Sequence, residues 1–145
     1  MSDSLQIGIL SDTHGLLRPT VLRRLRGVDH ILHAGDVEDP TILDQLRAIA
    51  PVTAVRGNTD GGPTGHLPWQ AQGDFAGIAW RMVHRREDVP TEWLREAQLI
   101  VHGHSHRPEL SWHGNDCLLL NPGACGKRRF KLPLTIARLT ITDIA

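Results

Sequence analysis

The chain has 145 residues, 40% of them hydrophobic, with two cysteines and a formal net charge of zero from 16 basic and 16 acidic side chains. That length suits one domain spanning 1–145 whose core needs no disulfide staple. The charge balance excludes a polyanion binder working through bulk charge, so no general nucleic-acid binding is expected, and two cysteines exclude a disulfide framework. Free thiols suit a reducing cytoplasm, the expected location. No apolar run approaches the ~20 residues of a membrane helix. Met1 to Leu10 has no basic segment ahead of a long apolar stretch, so neither a membrane role nor a signal peptide is expected.

Leu5 to Leu10 reads as a short apolar strand ending in the polar loop Ser11-Asp12-Thr13-His14-Gly15. Pro19 opens a helix with Val21, Leu22 and Leu25 on one face. Val28 to His33 reads as a second strand, followed by Ala34-Gly35-Asp36. A helix from near Pro40 then buries Ile42, Leu43, Leu46 and Ile49. Val52 to Val55 is the third strand, leading into Gly57-Asn58-Thr59-Asp60-Gly61-Gly62. Such repetition predicts βαβ units with a parallel sheet.

The second half changes character. Asp74 to His84 reads as one long strand with Phe75, Ile78, Trp80 and Met82 facing inward, and a short helix follows Pro90 around Trp93 and Leu94. Leu99 to Val101 is a buried strand ending in His102-Gly103-His104-Ser105-His106. Further strands are expected at Leu110–Trp112, Cys117–Leu120 and Leu134–Ile141. Helices early and strands late predict an α/β (α+β layered) fold, a two-sheet β-sandwich flanked by helices.

Ligands of open α/β sheets bind beyond the carboxyl ends of the strands. Those ends deliver Asp12 and His14, then Asp36, then Asn58, and later His84 and the pair His104 and His106. An i, i+2 spacing lets both members of a pair face one side, and the neighbouring glycines permit tight turns. Taken singly, an Asp after a strand is a turn former and a lone His is structural. Together the seven offer three oxygen and four nitrogen donors with no thiolate, a set suited to Mn, Fe, Zn or Ni. Seven donors exceed one tetrahedral ion and fit two divalent ions sharing a carboxylate. His30, His33, His102 and His113 read as structural, and Trp69, Trp80, Trp93 and Trp112 as core or interface residues rather than stacking platforms. Lys127-Arg128-Arg129-Phe130-Lys131 is the one compact basic run. It reads as a solvated loop, with Arg128 as a candidate for phosphate binding.

Asp12-Thr13-His14, Gly35-Asp36, Gly57-Asn58 and Gly103-His104-Ser105-His106 resemble the motifs of the calcineurin-like metallophosphoesterases. The small size and Asn121-Pro122-Gly123 resemble the compact bacterial and archaeal phosphodiesterase branch, to which the retromer metallophosphoesterase-like subunit is related. The resemblance implies one metal on Asp12, His14, Asp36 and His106 and a second on Asp36, Asn58, His84 and His104, with Asp36 bridging. It implies a phosphodiesterase in which Asp36, Asn58 and His104 carry catalysis and Asn58 also touches substrate. A homo-oligomer, or alternatively a non-catalytic scaffold for protein contacts, is also within what the family does. Two ions ~3.5–4 Å apart can share a hydroxide nucleophile and clamp phosphoryl oxygens, hydrolysing a P–O bond. Imidazole ligands must be unprotonated, so metal loss is expected below about pH 6.5, the unperturbed histidine value. Thr59 stands where many family members have a leaving-group histidine, and Arg85 where a glycine after His84 is common.

Overall fold

Ile7 and Ile9 leave one face of the first strand while Gly8 and Leu10 leave the other, and both faces are buried. That alternation seeds a layered fold. The computed structural model describes residues 4–128 and 131–142. In chain order the elements are β1 (Leu5–Leu10), α1 (Pro19–Arg24), β2 (His30–His33), α2 (Pro40–Arg47), β3 (Val52–Ala54), β4 (Gln70–Phe75) and β5 (Ile78–Val83). They continue with α3 (Trp93–Glu96), β6 (Leu99–Val101), β7 (Glu109–His113), β8 (Cys117–Asn121) and β9 (Ala137–Ile141).

A four-stranded sheet runs in the order β3-β2-β1-β9, and a five-stranded sheet in the order β4-β5-β6-β8-β7. β1, β2 and β3 are parallel, with Ile7 opposite His30 and Ile31 opposite Val52, while β9 pairs antiparallel to β1. β5, β6 and β8 are parallel, bordered by the antiparallel edge strands β4 and β7. Between the sheets Ile7, Ile9, Leu32, Trp80, Met82 and Val101 form the central core. Outside the first sheet, Val21 of α1 and Leu25 at its C-terminal end pack with Ile42, Leu43 and Leu46 of α2 against Leu10 and Ile31. Outside the second sheet, Trp93 of α3 packs with Ile100 and Leu119. This is the α/β layered sandwich the sequence predicts. Asp39 starts α2 by accepting from Thr41 N, with Pro40 in the first turn where a missing N–H costs nothing.

Two segments differ from expectation. Asp74 to His84 is not one strand but the turn and second arm of the β4–β5 hairpin. Ala76 and Gly77 take positive φ (53° and 91°), and the Asp74 carboxylate accepts from Gly77 N at 2.7 Å. Two successive left-handed residues match the twist of a tight hairpin. The final strand starts at Ala137 rather than Leu134, because Leu134 bridges to Ala124 instead. Of the tryptophans read as core or interface residues, Trp80 and Trp93 are buried, and Trp69 and Trp112 are 58% and 64% exposed and lie outside the three buried clusters. Cys117 and Cys125 are buried and free. Among the described residues, no helix is long and apolar enough to cross a membrane.

Candidate metal centre

The loops after β1, β2 and β3 are laced into one surface. Asp12 N donates to Gly35 O, His14 N to Asp36 O and Gly15 N to Val37 O, at 2.9–3.0 Å, so the first loop rides on the second like a continued ladder. Thr13 and His33 brace the same seam. Gly35 N donates to His33 Nδ1, which leaves His33 Nε2 carrying the hydrogen toward Thr13 Oγ1 at 3.1 Å. Thr13 Oγ1 in turn donates to Val37 O at 3.2 Å. Asp60, fully buried, ties the third loop to the second: its carboxylate accepts from the backbone N–H of Asp36, Val37, Glu38 and Gly57 and from Thr64 Oγ1. Close approach requires glycine at two points. A Cβ on Gly57 would sit 2.1 Å from Asp36 Oδ1, and one on Gly103 2.1 Å from Ser11 Oγ.

The loops after β5 and β6 lean onto that surface. His84 Nδ1 donates to Ala34 O at 2.6 Å, which fixes its tautomer and turns Nε2 inward. His104 N donates to Asp12 Oδ2 at 3.0 Å, and Ser11 Oγ donates to the same oxygen at 2.7 Å.

These contacts gather six predicted residues into two groups, Asp12 with His14 and His106, and Asp36 with His84 and His104. The groups interlock through their carboxylates. Asp12 Oδ1 lies 3.4 Å from His106 Nε2, 3.6 Å from His14 Nε2 and 3.8 Å from His84 Nε2. Asp36 Oδ2 lies 3.1 Å from His84 Nε2 and 3.6 Å from His14 Nε2, and so reaches both groups. Asn58 is exposed at the rim, its Oδ1 3.0 Å from His104 Nδ1.

The site fits a cation. Asp12 Oδ1 and His84 Nε2 are buried, face each other and have no hydrogen-bond partner. His14 Nε2 and His106 Nε2 point at one another at 3.2 Å, an arrangement a shared positive ion stabilises. Orphaned buried acceptors of this kind cost free energy unless something binds them. The donors are carboxylate oxygen and imidazole nitrogen, a set suited to transition-metal ions.

Backbone geometry sets these residues apart. Asp12, His14, Asp36, Glu38, His104 and His106 all have positive φ, between 48° and 73°; outside the site only Ala76 does so among described non-glycine residues. Each such conformation costs roughly 1–2 kcal/mol for an L-residue, and such outliers gather at functional sites.

Electrostatics favours positive charge at the two carboxylates and at His14 and His84. Burial raises the Asp12 carboxyl, but the close His106 and His14 imidazoles outweigh it and hold the acid below the usual range. Burial likewise raises Asp36, and the nearby His84 imidazole reverses the direction. The neighbouring Asp12 carboxylate raises His14 to about 9 against its burial, with Glu38 adding to the effect. His84 is raised too: burial lowers it, and Asp36 and Asp12 overcome that. His104 goes the other way, lowered by burial and then by the charges of His84 and Arg85. A cation entering the group that holds His14 must therefore displace a proton that begins to compete at about pH 9 rather than at 6.5.

Two positions carry more than their sequence suggested. Asp60 reads as a turn residue yet anchors five donors. Glu38 Oε2 bonds His14 Nδ1 and accepts from Thr59 Oγ1, so it orients the imidazole from behind. Arg128 is exposed and forms no hydrogen bond or ion pair with any described residue. Arg129 and Phe130 of the same run lie outside the described residues.

Comparison with known proteins agrees with this geometry. The chain is 34% identical over 134 residues to a probable metallophosphoesterase of Methanothermobacter thermautotrophicus, covering 81% of this chain and 76% of the relative. In fold it is similar to Vacuolar Protein Sorting 29 of Cryptosporidium parvum, with a TM-score of 0.83 at 18% identity over 97% of this chain and 87% of that one. It is also similar to YfcE, a phosphoesterase from E. coli, with a TM-score of 0.72 at 23% identity over 93% and 88% of the two chains. Residues 5–144 match the calcineurin-like phosphoesterase superfamily domain. On a match of that extent, with the strand-end aspartates and histidines drawn into one cluster, the chain belongs to the calcineurin-like phosphoesterase superfamily, in its compact branch.

Proposed function

We propose that the chain is a phosphodiesterase that works with two divalent metal ions. The observation that carries this reading is the pair of three-residue groups joined by carboxylates that reach both. Asp12, His14, Asp36 and His106 would hold one ion, and Asp36, Asn58, His84 and His104 the other, with Asp36 between them. Manganese suits the mixed oxygen and nitrogen donors; iron, zinc and nickel suit them too. When bound, such ions polarise phosphoryl oxygens and activate water for in-line displacement.

The chain's own groups divide the remaining work. Asn58 and His104 stand at the open rim, where an incoming phosphoryl group meets the protein first. His104 is kept neutral by burial and by His84 and Arg85, so a ring nitrogen is free to bind. Leaving-group protonation has no obvious donor. Thr59, which follows Asn58, directs its hydroxyl to Glu38 instead. A missing general acid typically costs 10²–10⁴-fold, so esters of poor leaving groups should turn over slowly. A protein-contact scaffold is the second reading, favoured by the fold's likeness to Vacuolar Protein Sorting 29.

Metal-stripped protein titrated with manganese against a chromogenic phosphodiester, beside an Asp36→Asn control, tests both. Metal-dependent turnover that disappears in the control supports the enzyme. Binding of two ions without turnover of any phosphoester supports the scaffold, and no metal binding removes the ligand assignment itself.

A further inference from the structure

The centre opens on one side into a cleft of about 300 Å³, bordered by Asn58 and His84 from the cluster and by Arg56, Trp69, Val83, Arg85 and Asp88. Two larger clefts, of about 780 and 510 Å³, contain no cluster residue and lie away from the chemistry.

The small cleft has an unusual wall. Arg56 lays its guanidinium over one face of the Trp69 ring at 4.5 Å from the centroid. Arg56 is itself fixed, since its Nη1 donates to Gly65 O at 3.1 Å and its backbone N to Pro68 O at 2.7 Å. The indole is thus clamped from one side while the residue remains 58% exposed. A rigid aromatic plane with a free face, beside a phosphoryl-handling centre, is a stacking platform. Arg85, half-buried directly after His84, adds a guanidinium suited to a phosphate oxygen. Val83 is buried and supplies an apolar surface. The volume sits at the small end of ligand pockets, enough for one ring system rather than a polymer.

We propose that this cleft binds a planar aromatic ring on the ester substituent that stays with the phosphate, stacked on Trp69 with Arg85 against a phosphoryl oxygen. The substrates are then nucleoside-type phosphodiesters, whose base is that ring. This substrate class rests on the phosphodiesterase reading; the cleft itself does not.

Two esters with the same leaving group test it: thymidine 5′-p-nitrophenyl phosphate and ethyl p-nitrophenyl phosphate, assayed with manganese-loaded protein. The thymidine ester should have the lower KM, by about tenfold, the scale of one base–aromatic stack. Trp69→Ala should raise that KM by a similar factor and close the gap between the esters, while Trp69→Phe should keep most of it. A second readout needs no turnover. Thymidine 5′-monophosphate should quench tryptophan fluorescence of the metal-free protein saturably, with inorganic phosphate as control, and the quenching should vanish in Trp69→Leu. Equal KM values for the two esters, a gap that survives Trp69→Ala, or quenching that survives Trp69→Leu would each overturn the proposal. Turnover of neither ester would count against the phosphodiesterase reading, and the quenching result would then decide the cleft alone.

Discussion

The two sides of the metal centre are held in place by different means. On the side of the first sheet, three loops are tied to one another by backbone bonds, by the Thr13–His33 brace and by the Asp60 carboxylate. On the side of the second sheet, the two histidine loops are joined by Gly103 N to His84 O and reach that frame at two points, His84 to Ala34 O and His104 N to Asp12 Oδ2. One side is a frame closed on itself, and the other is docked onto it. Damage to the frame should reach both ligand groups, whereas damage behind a single imidazole should stay with one group.

The largest effect is expected at the carboxylate both groups share. Asp36→Asn should lower manganese-dependent phosphodiester hydrolysis by about 10³-fold or more, the scale of removing a preorganised electrostatic stabiliser. Steady-state kinetics at saturating metal would show it, and a variant keeping a sizeable part of its rate would mean that Asp36 does not join the groups. Next comes the frame's anchor. Asp60→Ala strands four backbone N–H groups and a hydroxyl, and should cost about 3–5 kcal/mol in urea unfolding of the metal-free protein. Asp60→Asn, which keeps one oxygen acceptor, should lose less. Metal affinity at both groups should fall together; loss at one alone would break the distinction between frame and docked side.

The frame also has a pH limit. His33 is fully buried, and burial pushes its pKa down from 6.5 to about 4. A histidine lowered on folding is protonated first in the unfolded chain. Its contribution is therefore intact above pH 6.5 and is lost as pH falls from 6.5 toward 4. The loss should total about 3 kcal/mol, seen as the difference between wild-type and His33→Gln unfolding curves across that range. His14 has the opposite sign: raised to about 9, it stabilises the metal-free protein fully below pH 6.5 and ceases to do so as pH rises through 9. Parallel curves for wild type and His33→Gln would remove His33 from the frame.

The smallest expected effect sharpens the contrast. Glu38→Gln removes the charge behind His14 and should weaken metal binding at the Asp12–His14–His106 group by about 10–100-fold, leaving the other group near its original affinity. A two-site calorimetric titration separates the two. Equal weakening of both would show that the groups are less independent than their geometry suggests.

Much of this site was legible because a parallel sheet places its strand ends together, so residues distant in sequence could be read as neighbours. Asp12, His14, Asp36, Asn58, His84, His104 and His106 each follow an apolar strand, most beside a glycine. Asp60 was not legible, since Gly-Asn-Thr-Asp-Gly-Gly reads as turn chemistry and its partners at Asp36 to Glu38 are supplied only by the fold. The β4–β5 turn was missed for a related reason. Ala76 is an uncommon left-handed residue, and the Asp74 side chain that closes the turn is one weak signal inside an otherwise strand-like run. The stack of Arg56 over Trp69 joins residues by tertiary contact and leaves no mark in hydrophobic periodicity.

The left-handed backbone at Asp12, His14, Asp36, His104 and His106 has a consequence for residue choice. Glycine would relax the chain at each of these positions. His14 and Asp12 recover part of that strain through their mutual attraction. The side chains held at these five sites therefore mark where the cluster's own contacts, rather than the backbone's preference for glycine, decide which residue the chain carries.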